Sequence, residues 1–144
     1  MTQKDKELLL KDLCARLPYG LKVNVKGVVY GDRRCRLTGI HHELDTYIEV
    51  PDGMQYHIES IKPYLFPLSS MTEEQKHELK MSTCPNGTGY FNEYSLCCPV
   101  NRFGEDIPFN FMSSIIEYLN ENHFDYRGLI DKGLAIDATG LNIY

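Results

Sequence analysis

The feature that most constrains this chain is a change of hydrophobic period at Pro18-Tyr19-Gly20. Before it, apolar side chains recur at helical spacing; after it, they alternate. Leu21, Val23 and Val25 are interleaved with Lys22, Asn24 and Lys26, the period-two signature of a strand with one buried face. After Gly31-Asp32, Cys35 and Leu37 carry a second alternating run to Ile40. A third run sets Thr46, Ile48 and Val50 on one face and Tyr47 and Glu49 on the other. Pro51-Asp52-Gly53 then makes a turn, because Pro presets its φ and Gly accepts a positive one. A fourth run puts Met54, Tyr56 and Ile58 on a common face. Four short strands in about 40 residues read as an antiparallel meander. So short a meander hides its edges by curling, which predicts a small SH3-like or Tudor-like barrel over residues 19–67. Its expected inward set is Val23, Val25, Leu37, Ile48, Val50 and Ile58. Ile61 to Pro67 holds two prolines and reads as an exit from the barrel.

The flanks are helical in pattern. Leu9, Leu13 and Leu17 form a stripe, with Leu10 and Cys14 beside it and Lys4, Glu7, Lys11 and Asp12 on the polar side. This predicts a helix over residues 1–18, capped by Thr2. Thr72-Glu73-Glu74-Gln75 is a capping box opening a short helix to about Met81. Residues 82–106 hold several Gly and Pro and read as an irregular loop, with a hairpin expected through Tyr90–Val100. Asp106 can cap a helix from Pro108 to Asn122 with Met112, Ile115, Ile116 and Leu119 on its apolar side. Asp125 can cap one more short helix stopped at Gly133. The apolar tail residues Leu134, Ile136, Leu141 and Ile143 predict a docked C-terminal segment. The expected class is α+β: a single domain, residues 1–144, in which a small antiparallel barrel carries an N-terminal helix and a helical C-terminal half (68–144).

Composition excludes several classes. Apolar residues make up 42% of the chain and charged residues 24%, enough to build a core and too apolar for disorder. The net charge of −5 disfavours a protein whose whole surface binds nucleic acid. The charge is uneven: residues 1–66 hold ten Lys/Arg against nine Asp/Glu, and residues 67–144 hold five against eleven. A solvated acidic face explains the second half, and a docking surface for a basic partner is the alternative. No apolar run approaches the roughly 20 residues that span a bilayer, so no membrane partner is expected. Charges interrupt MTQKDKELLLKDL, which has no secretory core. With an odd count of five cysteines, reduced thiols in a cytosol are expected.

Candidate chemistry is sparse. Cys84, Cys97 and Cys98, with His77 and His123, include zinc-ligand types, but adjacent cysteines chelate one ion poorly. His41, Glu43 and Asp45 share a strand face beside His42 with nothing to complete a metal site. No GxSxG, phosphate loop, GxGxxG or HExxH occurs, and nothing orients a Cys98–His123 pair. No catalytic residue, metal or cofactor is therefore expected. The ten tyrosines suit packing with the hydroxyl at the surface; a cage of Tyr30, Tyr47, Tyr56 and Tyr64 for a methylated cation is the sharper alternative.

Two groups are candidates for partner binding. Lys22, Lys26, Arg33, Arg34 and Arg36 face only Asp32 in their stretch, and neighbouring strands could align Arg34 and Arg36 with Lys22 or Lys26. Such a face suits nucleic-acid backbones, with Tyr19 and Tyr30 to stack bases, or an acidic protein. Tyr126 and Arg127 are of the types enriched at binding hot spots. The alternative for them is a structural clasp, anchored by Phe124, Leu129 and Ile130, between the last long helix and the tail.

Three segments, LLLKDLCARLPYG (Leu8–Gly20), IKPYLFPLSSMTEEQ (Ile61–Gln75) and NHFDYRGLIDKGLA (Asn122–Ala135), resemble a family of small uncharacterised proteins from tailed phages and prophages of gut anaerobic bacteria. The resemblance implies a bacterial host cytosol during phage or mobile-element carriage, and it supplies no catalytic residues to carry over. The expected function is that of a non-enzymatic phage- or mobile-element-type accessory protein binding a macromolecule. A protein partner, such as a host or defence component, is favoured over nucleic acid. A small-barrel nucleic-acid binder using the Lys22–Arg36 face is the second reading, and an enzyme of unrecognised type the third.

Overall fold

The computed structural model describes residues 1–27, 32–42, 46–51, 53–83 and 109–144. They fall into two compact units, one of residues 1–70 with 123–144 and one of residues 71–122. Cys84, Cys97, Cys98, Tyr30, Glu43, Asp45, Asp106 and the hairpin expected at Tyr90–Val100 lie outside the described residues.

In the first unit, α1 spans Gln3–Arg16. Thr2 Oγ1 accepts the Asp5 N–H, and the Asp5 carboxylate accepts the Thr2 N–H in return, a reciprocal capping box. A single 3-10 turn at Leu17–Tyr19 follows, and Gly20 ends it at φ +70°, a conformation glycine adopts without a side-chain clash. The strands are β1 (Lys22–Val25), β2 (Arg33–Arg36), β3 (Gly39–His42), β4 (Thr46–Glu49), β5 (Gln55–His57), β6 (Ile61–Pro67), β7 (Phe124–Asp125) and β8 (Ile136–Asp137).

They form two sheets. One runs β2-β1-β6-β7, with β8 also on β6; the other is the meander β3-β4-β5. Leu37 and Thr38 link them: Leu37 N–H donates to Leu21 O at 2.8 Å and Thr38 N–H to Glu49 O at 3.0 Å. The second alternating run therefore passes from one sheet into the other at these two residues. No closed barrel is formed among the described residues, and β7 and β8 pair parallel to β6 rather than antiparallel.

The six residues expected to face inward all do so. Val23, Val25, Leu37, Ile48, Val50 and Ile58 are buried in one cluster with Leu9, Leu13, Leu21, Ile61, Leu65 and Leu129. α1 contributes its leucine stripe to the same core. Burying each such side chain stabilises the fold by roughly 1.5–3 kcal/mol, which explains why period-two patterning located the strands.

Two expectations are corrected. Ile61–Pro67 is not an exit: it is β6, the strand to which β1, β7 and β8 all pair. Pro63 is tolerated because it sits opposite Val23 at a position that makes no hydrogen bond to β1. The alternation follows from Lys26 N–H donating to Ser60 O, which assigns the even-numbered residues of β6 to that ladder. The short helix expected after Asp125 is a series of turns instead. The Asp125 carboxylate does accept the Leu129 and Ile130 N–H groups, at 2.9 and 2.8 Å. Gly128 and Gly133, both at positive φ, break the stretch before a helix can propagate.

The second unit contains α2 (Glu73–Thr83) and α3 (Phe109–Glu121), packed on each other. Thr72 and Gln75 complete the expected capping box, at 2.9 and 3.2 Å. The Tyr118 hydroxyl lies 3.1 Å from both Gln75 O and a Glu78 carboxylate oxygen. Burial, with Glu78 beside it, pushes its pKa up to about 12.

Candidate functional site

The residues expected to bind a partner occupy two different settings. The first is the outer face of the β2-β1-β6 sheet. Register pairs Lys22 with Arg36, and Asn24 with both Arg34 and Lys62. Side chains alternate along a strand and directly paired residues share a face. Since Val23 and Val25 face the core, Lys22, Asn24, Arg34, Arg36 and Lys62 project outward together. Lys26 follows in the same alternation just past β1. Arg33 does not join this face: it pairs with Val25, and its Nη1 approaches Met54 Sδ at 4.0 Å. Lys62 belongs to this face although the sequence reading missed it, because the prolines around it disguised the strand.

The C-terminal tail borders this face and supports it. Tyr64, Ala138 and Ile143 form a small buried cluster on the outer side, joined by Phe66 and Ile136. The Tyr144 hydroxyl donates to Tyr64 O at 2.8 Å and accepts the Lys22 N–H at 3.1 Å. Burial pushes its pKa up to about 12. Residue Tyr144 as a whole is 42% exposed, so the enclosure is local to its hydroxyl end. Lys22 Nζ donates to Ile143 O at 2.5 Å, which engages that ammonium with the tail. Arg34 lies over the Tyr64 ring, 5.8 Å from its centroid. Arg36 rests its guanidinium against Gly20, where a Cβ would meet Nε at 3.4 Å.

The second setting is a buried clasp. Asp12 and Arg16 of α1 are fully buried and bonded at 2.8 Å. Arg16 also donates to Phe124 O at 2.7 Å, tying α1 to β7. Arg127 brings Nε to 3.3 Å from the other Asp12 oxygen and donates from Nη2 to the Tyr126 hydroxyl at 2.9 Å. Both guanidiniums lie near the Tyr126 ring, Arg16 at 5.4 Å and Arg127 at 4.8 Å from its centroid. Burial raises the Asp12 pKa, and this outweighs the two guanidiniums that pull it down. Tyr126 and Arg127 are half-buried and engage Asp12 and Arg16 of α1, an element other than the last long helix and the tail between which a clasp is expected.

His123 closes the clasp beside the tail. It is buried at φ +58°, and its ring stacks on Tyr144 with centroids 4.0 Å apart. Among the described residues its Nδ1 has no hydrogen-bond partner. Burial, then the nearby Arg16 and Lys22 charges, lower its pKa to about 4.

Among the described residues, no group of three or more His, Cys, Asp or Glu is placed to hold a metal ion. His41 pairs with Glu49 at 2.7 Å, and Tyr47 packs on His57 with centroids 4.5 Å apart. No helix of the described residues is long and apolar enough to cross a membrane. Comparison with protein-family models, with curated proteins and with solved structures finds no match.

Proposed function

We propose that this chain is a non-enzymatic binding module that grips an anionic protein partner through the outer face of β1, β2 and β6. The observation that carries the reading is the register. It gathers Arg34, Arg36 and Lys62 on one exposed face. Among the described residues none of these three has an ion-pair partner. Unpaired cations on one rigid face attract and orient an anionic surface.

The strand order supports reading the β1–β6 portion as a small SH3-type barrel. A chain segment shared between two sheets leads into a meander, then a single 3-10 turn at Ile58–Ser60, then a strand that returns to β1. The resemblance of Leu8–Gly20, Ile61–Gln75 and Asn122–Ala135 to phage and prophage proteins supports a bacterial cytosol as the setting, and a host or defence protein as the partner.

The test is an affinity capture from host lysate with the wild-type chain and with an Arg34→Glu/Arg36→Glu variant, each with and without nuclease. The expected result is a nuclease-resistant partner retained by the wild type and lost by the variant. Equal retention by both overturns the reading. The same unpaired cations favour a second reading, nucleic-acid binding. It predicts capture that nuclease abolishes, with log affinity falling by about 0.9 per phosphate contact for each decade of salt.

A further inference from the structure

Among the described residues β2 is an edge strand. It pairs with β1 along its whole length, and among the described residues no strand lies on its other side. The ladder determines which backbone groups that edge presents. Leu37 N–H donates to Leu21 O, and hydrogen-bonded pairs recur at every second residue of an antiparallel ladder. Cys35 and Arg33 therefore address β1 as well. The amide and carbonyl groups of Arg34 and Arg36 point the other way. Thr38 is next in that outward series, and its N–H is taken by Glu49 O at the end of β4. Among the described residues the outward row is thus filled at Thr38 and open at Arg34 and Arg36.

The side chains at the open positions are the two exposed arginines of the basic face. A strand laid beside β2 would set alternate side chains opposite them, about 4.5–5.5 Å away between Cβ atoms, where opposite charges attract and like charges repel. Two basic edges of the same kind repel each other, which disfavours self-pairing. The same charges select an acidic strand.

We infer that β2 accepts an extended segment of an acidic partner protein as an added strand, with carboxylate side chains at alternate positions facing Arg34 and Arg36. This rests on the basic face being the contact surface, and adds backbone pairing and a two-residue sequence pattern in the partner.

The experiment titrates a blocked peptide, Ser-Val-Glu-Val-Glu-Val-Ser, into the isotopically labelled full chain and follows backbone amides by NMR. The largest shifts are expected at Arg34 and Arg36, with slowed exchange of both amides. Two further peptides are N-methylated on one or the other alternate set of residues. One set should lose binding at least about tenfold and the other should keep it, since only one set faces the edge. The Arg34→Glu/Arg36→Glu chain should reject the Glu peptide and bind its Lys counterpart. If that variant misfolds, Glu→Gln peptides against the wild-type chain carry the same charge test. Equal binding of both N-methylated peptides overturns the added strand while leaving the basic face as the contact surface. Shifts produced by short duplex DNA and not by the peptide assign the face to nucleic acid and overturn the inference. No shift at Arg34 or Arg36 with either probe overturns the inference and the function proposed above together.

Discussion

Arg16 and Arg34 set the same side chain in opposite surroundings. Arg16 is fully buried, bonded to Asp12 and Phe124 O, with Arg127 against the same carboxylate and the Tyr126 ring beside the Arg16 guanidinium. Arg34 lies exposed over a tyrosine ring on an open sheet face. In the clasp, charge joins α1 to the chain after α3. On the face, charge is available to a partner. The difference comes from what lies within reach. A buried guanidinium requires a carboxylate and carbonyls to replace its water, whereas an exposed one retains its water until a partner displaces it.

The clasp should therefore fail first under mutation. Arg16→Met leaves the Asp12 carboxylate buried beside a half-buried Arg127 only, and should cost about 3–5 kcal/mol. Urea denaturation should move the midpoint at unchanged slope; a midpoint within error of wild type would show that the pair is not structural. Leu129→Ala, in the turn that the Asp125 carboxylate caps, truncates a fully buried side chain. A loss of about 2–5 kcal/mol is expected, and a variant that melts like wild type would remove this segment from the core.

Acid should also act on the clasp. His123 has a folded pKa near 4, against roughly 6.5 for a free imidazole. Between those values the unfolded chain takes up a proton that the folded chain refuses. The His123 contribution is therefore complete above about pH 6.5 and declines as pH falls towards 4, by at most about 3 kcal/mol. Asp12 opposes this. Its raised pKa lets the folded state take a proton first, so acid relieves its burial. The clean measurement is a difference between chains: His123→Asn, which tolerates positive φ, should flatten the pH dependence of unfolding over that window. An unchanged slope would place the acid sensitivity elsewhere.

Arg127 lies between the two settings, with its side chain 27% exposed. Arg127→Ala should cost roughly 1–2 kcal/mol, since it removes a charged partner of Asp12 while solvent screens part of the loss. Arg34→Ala and Arg36→Ala should each change stability by less than about 0.5 kcal/mol, measured by the same denaturation. If Arg34→Ala proved as damaging as Arg127→Ala, the basic face would be part of the fold rather than a surface for a partner.

Local pattern sufficed wherever neighbours in sequence carry the physics. Alternation located β1, β4 and the core residues Val23, Ile48 and Val50, because a strand with one buried face must alternate. Four-residue spacing located α1, the Thr2 cap located its start, and a capping box located the start of α2, because those bonds close within one turn. β6 was hidden: its prolines argue against a strand until the ladder shows that Pro63 meets β1 where no N–H is required. The roles of the arginines were equally illegible. Asp12 falls on the polar side of the helical pattern, and Arg16 lies four residues further on with nothing in the pattern to enclose either. They become a buried pair only because Phe124 and Arg127, more than a hundred residues away, fold against them. Residue type and spacing thus determined the helices, the meander strands and most of the core. Tertiary structure alone decided which charges are enclosed and which remain open, since burial and register depend on contacts that sequence distance does not encode.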